Sequence, residues 1–333
     1  MEHFKEINLD KIREARKRIA PLIRQTPLMH STVLSNKWKK NIGLKLENLQ
    51  PTGAFKLRGA ANAILSLSEA EKNRGVVTMS TGNHGKAVAY VAKKLGVNAT
   101  VCISNLVPKI KVDAMKALGI TVKVTGKNQD EALEYALQLQ EREGLKYISP
   151  FDDPNVIAGQ ATTMLEVLEQ NPNTDTLIVP VGGGGLMSGM AFVAKVLDPS
   201  IRMIGVTNDT EPAMYKSLKA GHIVQVDEFE SLADALPGPI SENNQYTFAM
   251  CQRYVDDMVL ICEEQIAQAM AYALLKEKQV LEGGGAAVLS VLIEGNYTAL
   301  GQDVVAICSG NSVDMSLLFN LTNKYQKDID DTF

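Results

Sequence analysis

From residue 75 onward the chain repeats one pattern: a β-branched apolar run, a turn of glycine or polar residues, then an Ala/Leu/Lys-rich stretch with helical spacing. That alternation admits few folds. Each strand is followed by a helix long enough to carry the chain back, so neighbouring strands run parallel and the class is α/β with open parallel sheets. The apolar runs are GVVTMS (75–80), NATVCIS (98–104), TVKVTG (121–126), DTLIVPVG (175–182), IRMIGVT (201–207) and QDVVAICSG (302–310). HGKAVAYVAKKLG, IKVDAMKALG and DEALEYALQLQEREG follow the first three, each closing on a glycine that suits a helix C-terminus.

With 333 residues, 45% of them hydrophobic and 22% charged, the chain buries a full core without a disulfide or metal staple. The 34 basic and 38 acidic residues leave a net charge of −4 with no basic stripe, which excludes nucleic acid as the expected partner. Cys102, Cys251, Cys262 and Cys308 are far apart, form no C-x-x-C pair and read as small core residues of a reducing compartment, so a cytoplasmic location is expected. The opening MEHFKEINLDKIREARKRIA is charged and helical in pattern, and no apolar run approaches a membrane span, so neither export nor membrane insertion is expected. A break at Ser149-Pro150 marks a candidate crossing between domains.

Open parallel sheets bind ligands at the carboxyl ends of their strands. Ahead of the first run lies Pro51-Thr-Gly-Ala-Phe-Lys-Leu-Arg-Gly59, where Lys56 is either a solvated lysine or an amine shielded by Phe55 and able to form a Schiff base. After GVVTMS comes Ser80-Thr-Gly-Asn-His-Gly85, including Thr81, Gly82, Asn83 and His84. Its hydroxyls and N–H groups serve equally as a helix cap or as a seat for a carboxylate. After DTLIVPV comes Gly182-Gly-Gly-Gly-Leu-Met-Ser-Gly189, and four successive glycines are entropically costly unless a bound group approaches the backbone closely. The G-x-G-x-x-G spacing fails at every register, and the lysine and Ser/Thr of a P-loop are absent, which favours a phosphate monoester over a dinucleotide or ATP. Ser309-Gly-Asn-Ser312 follows QDVVAIC, and Glu282-Gly-Gly-Gly285 is a further close-approach loop or a flexible turn. The four histidines include no H-x-x-x-H, no serine stands in a G-x-S-x-G elbow, and the acidic residues mostly follow helical charge patterns of solvated faces, so no metal set is expected.

In this order and spacing PTGAFKLRGA, STGNHGKAVAY, SPFDDPNVIAGQAT, VPVGGGGLMSG and SGNSVD resemble the pyridoxal-phosphate enzymes of the tryptophan-synthase β (fold type II) class over nearly the whole chain. Within that class the chain most resembles the threonine/serine dehydratases and related serine racemases. The resemblance implies two open parallel-sheet α/β domains, a large one of residues 1–77 and 149–333 and a small mobile one of residues 78–148, in a homodimer. It implies that Lys56 holds pyridoxal phosphate as a Schiff base and then serves as base at Cα, with Phe55 against the ring. Asn83 would meet the ring hydroxyl; Ser80, Thr81, Gly82, Asn83 and His84 would hold the carboxylate of an amino acid substrate. Gly182, Gly183, Gly184, Gly185 and Leu186 would wrap the phosphate, and Ser309 would face the ring nitrogen.

The implied reaction is α,β-elimination on a β-hydroxy amino acid such as threonine or serine, giving a 2-oxo acid and ammonia. The racemases place a second-face base where Thr81 stands. The class's V-E-P segment reads Val206-Thr207-Asn208-Asp209, so the residue for a divalent cation falls on Thr207, with Asp209 or Glu211 as substitutes. The P-[ST]-G-A loop reads Glu282–Gly285 and the A-D-G segment reads Ala233-Asp234-Ala235. SLADALPGPISENNQYTF (231–248) resembles a dehydratase branch associated with hydroxyectoine breakdown, which implies a larger β-hydroxy substrate. A β-replacing or threonine-synthase-like enzyme suits the lysine motif as well, and a non-catalytic nucleotide-binding module is the reading from another class.

Overall fold

The computed structural model describes residues 5–80, 82–105, 107, 109–227, 229–295 and 297–333. The strands are β1 (Leu28–His30), β2 (Asn41–Leu46), β3 (Val76–Met79), β4 (Ala99–Ile103), β5 (Thr121–Val124), β6 (Lys146–Tyr147), β7 (Thr176–Pro180), β8 (Arg202–Asn208), β9 (Asp257–Ile261) and β10 (Asp303–Cys308). The chain divides into two compact units, one of Met1–Arg24 and Phe55–Thr162, the other of Gln25–Ala54 and Thr163–Phe333.

The first unit holds a four-stranded sheet in the order β5-β4-β3-β6, all parallel. Val76 packs with Ile64, Val88 and Val91 on one face, while Val77 and Cys102 meet Ala136 and Leu139 in a second cluster. At the edge, β5 alternates little and is largely exposed, with Lys123 among its residues, as suits a strand that must not pair further. Ser80 and residues 82–85 follow β3 and Ile148–Pro150 follow β6; because these strands are neighbours and parallel, both segments emerge at one edge of the sheet.

The second unit holds six strands in the order β1-β2-β10-β7-β8-β9, parallel except for the short β1 against β2. All five residues of β7 are buried, as expected for a strand covered by helices on both faces. Ile178, Val304 and Ala306 pack with Ile266, Met270, Val288 and Leu292 from the helices Glu263–Leu275 and Gly283–Glu294. The glycine run at 182–185 follows β7 and Ser309 follows β10, so these two also share an edge.

The α/β architecture with parallel sheets follows the expectation, and all six apolar runs are strands. The helices Asn83–Leu95 and Gln129–Glu143 end on left-handed Gly96 and Gly144, each at φ 68°. Strands β1, β2, β6 and β9 were not among the expected ones. No cysteine is paired; Cys102, Cys251 and Cys308 are buried, whereas Cys262 is only partly so, at the start of the Glu263–Leu275 helix. Among the described residues no helix is long and apolar enough to cross a membrane.

The expected solvated faces have exceptions: Glu47, Glu166, Glu277 and Glu282 are all at most 8% exposed. Glu166 pairs with the fully buried Lys45 at 2.7 Å, and the Lys45 ammonium also donates to the Thr26 carbonyl and Gln170. Glu277 accepts from Ser31 and Tyr272. These carboxylates are buried because donors meet them, which is the condition under which burying charge is tolerated.

Candidate active site

In the first unit, Lys56 is the first residue of the helix Lys56–Leu65 and is half-buried. Its Nζ donates to the Pro150 carbonyl at 2.6 Å and lies 5.3 Å from the centre of the Phe55 ring. That helix is held from behind. Gly59 and Gly159 let it meet the helix Pro154–Gln170 backbone to backbone, and the Gly59 N–H donates to Gln160 Oε1 at 3.2 Å. The fully buried Arg58 donates to Thr162 at 3.2 Å.

At the sheet edge of the same unit, the helix Asn83–Leu95 begins on Gly82 with no side-chain cap, whereas Asn8, Ser68 and Asn128 cap theirs. Ser80 Oγ instead accepts the Gly82 N–H at 3.3 Å within the turn. A side chain on Gly82 would touch nothing within 4 Å, and a Cβ on Gly85 would come within 2.6 Å of the Ser80 carbonyl, so the turn is tight beneath and open above. The N-cap residue Gly82 has no side chain with which to cap this helix, and a helix start serves equally to seat an anion. His84 is buried, and burial together with the Lys56 charge pushes its pKa down to about 3, so the ring is neutral. Thr81 lies outside the described residues.

In the second unit, Gly184 precedes the helix Gly185–Leu197 in the left-handed region, at φ 84°, again with no side-chain cap. A Cβ on Gly184 would press on Met214 at 2.7 Å and on Cys251 and Thr247 at 3.2 Å; one on Gly182 would meet the Ala235 carbonyl at 2.7 Å. Burial raises the Cys251 thiol to about 12, which leaves it an inert packing group. Glycine also makes the neighbouring joints: Gly283 lies against the Leu232 carbonyl and Gly285 against that of Gly310. Ser309 is buried and donates to the Gly284 carbonyl at 3.2 Å. The Glu282 carboxylate accepts the Ser312 N–H at 2.9 Å and its own N–H donates to the Gly310 carbonyl at 3.1 Å.

The profile of the family described as pyridoxal-phosphate dependent enzyme matches residues 19–310. The chain belongs to that family. An L-threonine ammonia-lyase of Thermotoga maritima is 39% identical over 96% of this chain and 79% of its own length. Among solved structures, maize serine racemase superposes with a TM-score of 0.88 at 33% identity, covering 97% of this chain and 99% of that one. The processed form of threonine deaminase isoform 2 from Solanum lycopersicum gives 0.86 at 35% identity, covering 95% and 94%.

The donor set fits the cofactor of this pyridoxal-phosphate enzyme. A primary amine is present for the aldehyde, an uncapped glycine-led helix start for the phosphate dianion, and a buried hydroxyl after β10 for a polar ring atom. Among the described residues no three acidic, histidine or cysteine side chains stand together that could hold a metal. Thr207 is buried with its hydroxyl on Asn208, and Glu211 is paired with Lys216 at 2.6 Å. Sequence reasoning did not single out the Pro150 carbonyl, Gly159 or the buried state of Glu282. A main-chain acceptor carries no side-chain signature, although Gly159 does stand inside the quoted motif SPFDDPNVIAGQAT.

Proposed function

We propose that this pyridoxal-phosphate enzyme is a dehydratase, or ammonia-lyase, acting by α,β-elimination on a β-hydroxy amino acid such as L-threonine or L-serine. The observation that carries the reading is Lys56, a half-buried amine at a helix start, held at 2.6 Å by the Pro150 carbonyl in a chain of this family. The names of similar proteins support the reaction class: an L-threonine ammonia-lyase and a threonine deaminase are both among them.

Bound, the cofactor supplies an electron sink that makes the Cα proton removable. In this reading the Lys56 amine would hold the cofactor and, when free, would take the Cα proton of the substrate. Ser80, Thr81, Gly82, Asn83 and His84 would seat the substrate carboxylate at the start of the helix, and Asn83 would meet the cofactor's ring hydroxyl. Gly182, Gly183, Gly184, Gly185 and Leu186 would take the phosphate, Phe55 would pack on the ring, and Ser309 would offer its hydroxyl to the ring nitrogen. One Cα–H and one Cβ–O bond break, water leaves, and the enamine hydrolyses to a 2-oxo acid and ammonia.

Within this reading, the segment 231–248 supports a larger β-hydroxy substrate of the hydroxyectoine type. The homodimer, the cytoplasmic location and the division into residues 78–148 and the rest rest on the resemblance and the composition. The test is product analysis over a panel of β-hydroxy amino acids. Stoichiometric ammonia and 2-oxo acid support elimination; a new amino acid in the presence of a nucleophile points to β-replacement, and the substrate's D-enantiomer without ammonia points to racemisation.

A further inference from the structure

The helix Asn83–Leu95 carries at its second residue an imidazole for which the proposed reaction has no task. His84 Nε2 lies 3.1 Å from the Ile148 carbonyl oxygen. A carbonyl only accepts, so in a neutral ring Nε2 carries the hydrogen and Nδ1 is a bare lone pair. Nδ1 is buried and has no hydrogen-bond partner among the described residues, an arrangement that costs stability and calls for a reason.

The reason lies two residues further on. Thr78 Oγ1 donates to the same Ile148 carbonyl at 2.8 Å, and the Ile148 N–H is tied to the Val77 carbonyl at 2.8 Å. Ser149 Oγ then accepts the Asp152 N–H at 3.1 Å. The segment is therefore pinned at Ile148 and turned over Ser149–Asp152, and within that turn the Pro150 carbonyl receives the Lys56 amine at 2.6 Å. Of the groups that pin it, His84 is the one whose charge could change, and a charged ring would set a second cation beside the Lys56 ammonium.

We propose that His84 is a positioning residue for Lys56: its Nε2–H fixes the Ile148–Pro150 turn so that the Pro150 carbonyl holds the lysine amine whenever that amine is free of the cofactor. The inference rests on the reading of Lys56 as the cofactor lysine. Neutral imidazole suits the task because it presents one donor at Nε2 and adds no charge. Leucine would fill the space without the donor, and glutamine would return an N–H at similar reach.

The test uses the full chain, as purified with its cofactor and again after the cofactor is stripped with hydroxylamine. Nitrogen-15 spectra of the histidine rings in the unaltered protein at neutral pH should show His84 protonated at Nε2 alone; an Nδ1–H ring or an imidazolium overturns the proposal with no substitution needed. In the stripped protein, acylation of the Lys56 amine by acetic anhydride at fixed pH, read by peptide mass spectrometry, should run about tenfold faster in His84→Leu, as expected for loss of a hydrogen bond to a charged group. His84→Gln should restore the slow rate. Equal rates in all three, or equal acceleration in Leu and Gln, overturn it. In the loaded protein His84→Leu should lower kcat and leave KM within about twofold. Identifying the borohydride-fixed peptide tests the cofactor lysine separately, so a wrong lysine and a wrong role for His84 give different results.

Discussion

The helices Lys56–Leu65 and Pro154–Gln170 meet so closely that one methyl group at Gly159 must part them. A Cβ built there lies 2.5 Å from the Arg58 carbonyl oxygen, 2.7 Å from Gly59 Cα and 2.8 Å from the Arg58 carbonyl carbon. All three are main-chain atoms of a helix and none can swing aside. Ordinary contact begins at 3.4 Å, so Gly159→Ala opens the crossing by about 0.9 Å (3.4 − 2.5). Lys56 is the first residue of the displaced helix and moves with Arg58. Overpacking costs about 1–3 kcal/mol, and alanine in place of a helical glycine returns up to about 1, leaving a net loss near 1 kcal/mol. A reacting group misplaced by about 1 Å can lose on the order of 100-fold in rate, which is about 2.7 kcal/mol in the barrier. Thermal unfolding together with steady-state ammonia release is the assay. A midpoint lowered by only a few degrees alongside a kcat lowered ten- to a hundredfold, with KM little changed, is the expected outcome. A variant with the parent's kcat would refute the claim that this crossing positions Lys56.

Gly283→Ala, whose Cβ would lie 2.2 Å from the Leu232 carbonyl, should lower both the unfolding midpoint and cofactor affinity, whereas Gly284→Ala, which would meet nothing nearer than 3.6 Å, should leave the midpoint unchanged or higher; calorimetry and cofactor titration check both. Glu166→Leu leaves the Lys45 ammonium buried without its carboxylate and should cost about 3–5 kcal/mol in denaturant unfolding, much of it recovered by Lys45→Met in the same chain. His84 is neutral in the folded protein down to about pH 3 but takes a proton in the unfolded chain below pH 6.5, so the unfolded state binds more protons and stability falls as pH drops through that window. The difference is about 2 kcal/mol between pH 7 and pH 5, and His84→Gln should remove that part of the pH dependence of unfolding.

The parallel strands were legible because a strand covered on both faces is an apolar run, and β7 and β10 each carry five buried residues in succession. Strand β2, NIGLKL, hides because Lys45 interrupts the run, and the reason a lysine can stand there, Glu166, lies far along the chain. Strand β6 has two residues and no pattern to read. The candidate site divides in the same way. Glycine runs, an aromatic-flanked lysine and polar turns after strands announce themselves through residue type. The Pro150 carbonyl, the His84 tautomer and the Gly59–Gly159 crossing are relations between distant segments, and only the fold brings them together.

The central claim is that Lys56 holds pyridoxal phosphate. The most direct measurement is the absorbance spectrum of the purified chain before and after borohydride, with mass spectrometry of the peptide that carries the reduced adduct. The account predicts a visible band that borohydride abolishes, a pyridoxyl group on Lys56, and neither band nor adduct in Lys56→Ala. A colourless protein that remains so after incubation with pyridoxal phosphate, or an adduct on another lysine with Lys56→Ala still coloured, would contradict it.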